Sequence, residues 1–123
     1  NFFLFGLTAA EVEEKRRSRF TGRAAVKTSP RLGEILESLA SGLFSPDDPN
    51  RYRVLVEDLL GEDRFMVAAD FDAYWNAQRA VDAMWNEPER WWRASIMNTA
   101  RMGSFSSDRT IRGYATDIWG LAE

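Results

Sequence analysis

The chain has 123 residues, 45% of them hydrophobic, and a net charge of −3. That length supports one small domain with a modest core, and the charge argues against a dedicated binder of nucleic acid or of an anionic membrane surface. With neither Cys nor His present, disulfides, thiol nucleophiles, the usual zinc sites and His-based triads are excluded together. Residues 1–28 hold six Lys/Arg against three Asp/Glu, a bias too short and too mixed for a binding arm. No apolar run approaches the length of a membrane span, so no membrane partner is expected.

Taken in order, Phe2 to Phe5 form a continuous apolar run closed by Gly6. A strand covered on both faces reads this way, and so does a frayed hydrophobic terminus. Thr8 and Glu11 have the spacing of a capping box. They predict a charged, solvated helix over about residues 9–18, with Glu11/Lys15 and Glu13/Arg17 as i, i+4 pairs. Ser29 as N-cap and Pro30 at the first helical position open the next helix. Its buried stripe is expected to be Leu32, Ile35, Leu36, Leu39 and Ala40, and Gly42 ends it. Asp48 and Pro49 predict a second start of the same form, followed by Tyr52, Leu55, Val56, Leu59 and Leu60 and a stop at Gly61. The apolar run between Asp63 and Asp70 reads as a short strand or as an extended entry to a long helix. Asp70 caps that helix, about residues 71–86, which is apolar on two faces. Pro88 starts a helix carrying Trp91, Trp92, Ile96, Ala100 and Met102. Finally, Ser106 or Ser107 caps a terminal helix, with Asp108 where the helix dipole favours an anion. Ile111, Tyr114, Ala115, Ile118 and Trp119 form its single apolar stripe, and Gly120 stops it.

Few groups could carry chemistry. Asp70-Phe71-Asp72 has the form of a metal-binding triplet, but a helix start explains both acids electrostatically. Asp47 and Asp48 could act as an acid–base pair; in a Pro-flanked turn without an apolar wall to raise a pKa, capping is the better account. The run Arg16-Arg17-Ser18-Arg19 could hold an anion or a glucan, though such runs are usually a solvated face. Arg109 could meet a phosphate at a helix N-terminus, but Asp108 competes, and a carboxylate on a neighbouring element suits it as well. Trp75, Trp85, Trp91, Trp92 and Trp119 could form a sugar-stacking platform, but at helical spacing they fit a core or docking surface better. No catalytic, cofactor-binding or metal-binding residue is assigned.

Several separated strings resemble one family, the glycogen and maltodextrin phosphorylases. Phe105-Ser106-Ser107-Asp108-Arg109-Thr110-Ile111, with Tyr114 and Ile118-Trp119-Gly120, is similar to their C-terminal "GKFSSDRTI-x-x-YA-x-x-IWGV". Asn1 to Gly6 resembles "EN-x-F-x-FG", Ser41 to Pro46 resembles "SSGFFSP", and Asp63 to Asp70 resembles "DRFMVLAD". Residues 87–109 are similar to the family's "EAWTR" to "FSSDR" stretch, while 19–29 depart, with Ala24-Ala25-Val26 where an aromatic-rich helix is usual. The resemblance implies a fold that is mainly α with one or two short strands, part of a Rossmann-like α/β domain of GT-B type in the parent. Residues 1–123 would be the C-terminal fragment of the cofactor-bearing domain. It implies a cytoplasmic parent that releases glucose 1-phosphate from α-1,4-glucan with phosphate, and pyridoxal phosphate held there by a lysine in a "GTGNMK"-type motif. Lys15 and Lys27 are the only lysines and lie in no such motif, so the resemblance implies no cofactor in this stretch. The start in an apolar run, without an initiator Met, also suggests a piece of something longer. Its partners would be the rest of the phosphorylase chain, with self-association through unpartnered apolar faces. The alternative is a free-standing helical interaction module without catalytic activity.

Overall fold

A computed structural model of the chain describes residues 1–121. Seven α-helices follow one another: α1 Ala9–Arg17, α2 Gly22–Thr28, α3 Pro30–Ala40, α4 Arg53–Leu60, α5 Val67–Trp85, α6 Pro88–Ala100 and α7 Ser107–Gly113. A 3₁₀ turn, Met102–Phe105, precedes α7, and a π-helical turn, Tyr114–Ile118, continues it.

The expected strands are not formed, and with them goes the Rossmann-like α/β layering: the described residues are helical or irregular. Residues 1–5 are irregular, and Phe2, Leu4 and Phe5 are exposed. The reason is one of partners, since a strand's N–H and C=O groups need a neighbouring extended segment and the described residues supply none. Phe5 instead sets its ring edge-on to Tyr74, with centroids 5.3 Å apart. The run after Asp63 is not a strand either, because α5 begins within it at Val67.

The chain divides into two units. The first, Leu4–Ala80, holds all the buried side chains among the described residues. Its core is Ala25 of α2, Leu32 and Leu36 of α3 and Ala68 of α5, with Phe20, Val26, Leu39, Leu59, Leu60 and Phe71 packed around them. Ser29 caps α3 by accepting from the Leu32 amide, and Pro30 takes the first helical position, as the sequence predicts. Gly22 brings the start of α2 against the end of α4, and its amide donates to the Gly61 carbonyl at 3.1 Å. The start of α4 differs from expectation. Asp48 accepts from the Asn50 amide in a turn, at 3.2 Å, and the helix begins only at Arg53.

The largest correction concerns α5. Asp70 does not cap it. The cap is Asp63, 1% exposed, whose carboxylate accepts the amides of Val67, Ala68 and Ala69 at 2.8, 2.9 and 3.2 Å. These are three of the four amides that a helix start leaves without an internal partner. The loop returns to reach them through Met66, at φ 58°, whose amide donates to the Asp63 carbonyl.

Helix α1 carries the predicted capping box. The Thr8 amide and hydroxyl both donate to Glu11, at 2.7 and 2.6 Å. Arg17 pairs with Glu14 at 3.0 Å rather than with Glu13. The Thr8 hydrogen bonds, side chain first and then backbone, hold the Glu11 carboxyl below its ordinary value of 4.5. A depressed acid contributes stability above its unfolded value and loses it as pH falls through the folded one. Amide protection of residues 9–17, corrected for intrinsic exchange, is therefore expected to fall as pH drops below 4.5. Thr8→Ala should remove most of that dependence.

The second unit comprises Asn1–Phe3 and the chain from Val81 onward. Trp85 meets Trp91 edge-on at 4.9 Å across the turn that Pro88 closes. Asn98 donates to the carbonyl of Asn1 at 3.3 Å. Ser106 is the cap of α7, its hydroxyl accepting from the Arg109 amide. The π-helical turn is closed by the Trp119 amide donating to Tyr114, and Gly120, at φ 63°, ends it.

Candidate functional site

The polar candidates each resolve into local contacts. Asp70 accepts the Leu7 amide and Asp72 the Ser29 hydroxyl, both at 2.8 Å. The two carboxylates of the triplet thus serve donors on different segments. Asp47 accepts from Ser45 and from Arg51, at 3.1 and 2.9 Å, and Asp48 from Asn50. Arg109 donates to the carbonyl of Ser104 at 2.6 Å, closing the turn before α7 rather than pairing with a carboxylate. Lys15 holds its ammonium 4.3 Å over the Phe20 ring, and Lys27 is exposed in the last turn of α2. Neither lysine has the buried, phosphate-cradling surroundings that a Schiff-base site requires. These residues do not fit pyridoxal phosphate.

The tryptophans divide the same way. Trp75 lies beneath the guanidinium of Arg31 at 4.0 Å and beside that of Arg79 at 4.8 Å. Trp85 packs on Trp91, and Trp119 sits 6.2 Å from Tyr114.

What remains is an apolar surface. From Val81 to Leu121 not one residue is buried. Trp85, Trp92 and Ile96 around α6 are exposed, as are Met102, Phe105, Ile111, Ile118 and Trp119 beyond it; Phe105 keeps 72% of its surface and Trp119 59%. The residues that the sequence places in a stripe on the last helix are divided between α7 and the π-helical turn, and Ile111, Tyr114, Ile118 and Trp119 are exposed. Leaving apolar surface in water costs about 25 cal/mol for each Å², which is why large exposed apolar patches are characteristic of interaction surfaces.

The carbohydrate phosphorylase family matches residues 1–121. The chain belongs to that family. It is 44% identical to a glycogen phosphorylase of Synechocystis over 121 residues, 98% of this chain and 14% of that protein. It is 40% identical to the brain form of Pongo abelii and to the muscle form of Oryctolagus cuniculus, with the same coverage. This member of the carbohydrate phosphorylases therefore spans about one-seventh of the length of the curated relatives it matches. Among the described residues, no helix is long and apolar enough to cross a membrane.

The feature that sequence reading missed is Asp63. Its only signal is an acid two residues ahead of an apolar run and four ahead of the helix start at Val67, and the reversal of the loop that makes it a cap leaves no periodic trace.

Proposed function

We propose that this chain is the C-terminal segment of a glycogen or α-glucan phosphorylase, and that it supplies packing surface rather than reacting groups. The observation that carries the reading is the pairing of two facts. Nearly the whole chain matches 14% of a phosphorylase, and its second unit carries an apolar face with no residue buried beneath it. In this reading the parent is a cytoplasmic glycosyltransferase that moves a terminal α-1,4-linked glucose to phosphate with the help of pyridoxal phosphate. The cofactor and the reacting groups belong to the rest of that enzyme. The apolar face of residues 81–121 docks on the remainder of the chain.

The test compares the 123-residue chain with the longer protein that contains it. The chain alone should bind a hydrophobic dye, self-associate and form no glucose 1-phosphate from glucan and phosphate. In the longer protein the dye should no longer bind, and Ile118→Asp there should lower thermal stability by about 2 kcal/mol, the cost of burying a charge at a docked face. A cooperative, monomeric chain that ignores the dye would overturn the docking role and favour the free-standing module.

A further inference from the structure

Arg16 and Arg19 line a cleft of about 810 Å³ together with Arg64, against an apolar wall of Phe20 and Met66. That volume lies within the roughly 300–1,000 Å³ of small-molecule sites. The sequence alone makes the arginine run after α1 a solvated face. The fold changes its meaning by bringing Arg64, from the loop before α5, to the same cleft.

Two loops build the site, and both are pinned. The Phe20 amide donates to Lys15, and the Gly22 amide to Gly61, at 2.9 and 3.1 Å. The Met66 amide donates to Asp63 at 2.8 Å. Among the described residues, the non-glycine positions with positive φ are Arg19, Asp63 and Met66, and all three belong to these two loops. Left-handed backbone is disfavoured wherever a Cβ is present; at Asp63 and Met66 it serves the cap of α5, and Arg19 adopts it at a residue that lines the cleft. The charges are not neutralised by carboxylates, although Arg64 also holds its guanidinium 5.5 Å from the Phe65 ring. Arg17, Arg51, Arg53 and Arg90 have carboxylate partners. Among the described residues Arg16, Arg19 and Arg64 form no ion pair, and the one carboxylate lining the cleft is Glu62.

Three guanidinium groups against one carboxylate make a positive cleft, and their planar donor forks match phosphate oxygens. We propose that it binds the phosphate group of a small phosphate monoester. Arg16, Arg19 and Arg64 donate to its oxygens, and Phe20 and Met66 pack against its carbon portion. This site is independent of the docking role above.

The test is hydrogen exchange on the full-length protein with glycerol 2-phosphate, inorganic phosphate, or sodium chloride at equal ionic strength. Peptides holding the amides of Phe20, Gly22 and Met66 should exchange about threefold or more slowly with the ester than with chloride. Arg19→Gln with Arg64→Gln should abolish that protection. Glu62→Gln should bring it on at lower ester concentration, an effect that misfolding would not produce. Equal protection by chloride, or no gain in Glu62→Gln, would overturn the anion site. Equal protection by inorganic phosphate would overturn its assignment to an ester.

Discussion

Asp63→Ala is expected to destabilise the Leu4–Ala80 unit by about 3 kcal/mol or more. The carboxylate is 1% exposed and accepts three amides of the first turn of α5. Alanine leaves those donors facing a space that water does not freely enter, and each buried, unsatisfied donor costs about 1–3 kcal/mol. Ala68, one of the three, is itself a core residue, so the helix cannot fray outward to reach solvent without opening the core. For a unit of this size the change corresponds to a fall in melting temperature of more than about 10 °C. Asp63→Asn keeps one acceptor oxygen and should lose less. The neighbouring exposed Glu62→Ala should stay within about 0.5 kcal/mol of the parent. Thermal unfolding of the three variants tests the cap directly; an Asp63→Ala protein as stable as Glu62→Ala would show that the amides find other acceptors.

Gly22→Ala should be nearly as damaging for a steric reason. A Cβ at that position would stand 1.7 Å from the carbonyl oxygen of Leu59 and 2.8 Å from its carbonyl carbon. Both are backbone atoms within α4, so no rotamer can relieve the clash. α2 must move away, and the bond from Gly22 to Gly61 and the packing of Ala25 go with it. Overpacking of this kind costs about 1–3 kcal/mol, more when backbone must shift. Gly103→Ala is the control, with nothing within 4 Å of the added carbon, and should be close to neutral. Urea unfolding of the pair should show a lower midpoint for Gly22→Ala alone. Equal midpoints would mean that α2 and α4 are not held at this contact.

The same positions show how far the sequence could be read. Thr8 with Glu11, Ser29 with Pro30, and Ser106 ahead of Asp108 were legible as helix starts, because each signal lies within four residues of the helix it opens. On α3 the spacing places Leu32 and Leu36 in the core with Leu39 against it, but Ile35 and Ala40 are exposed, and the last stripe is interrupted by the π-helical turn Tyr114–Ile118. Local spacing does not tell Asp63 from Asp70 as the cap, since which acid caps α5 depends on a left-handed turn at Met66 and on Leu7 arriving to occupy Asp70. The strand read into Phe2–Phe5 failed because composition reports how apolar a segment is, and not whether a neighbour exists to pair with it. Arg64 reaches the arginines after α1 through tertiary contacts, the Gly22–Gly61 hydrogen bond among them, which local patterns do not encode. The apolar residues beyond Val81 are legible as apolar and are exposed in the structure, but local spacing does not say what would cover them.

The central claim is that this chain is the packing end of a larger phosphorylase. It is tested most directly by isolating from the source cells the polypeptide that carries the peptide Ser104–Arg109 and measuring its mass and its pyridoxal content together. The account predicts a chain about seven times heavier than 14.1 kDa, as the 14% coverage of the relatives requires, with one pyridoxal phosphate for each subunit. A native polypeptide near 14.1 kDa that carries no pyridoxal would contradict it.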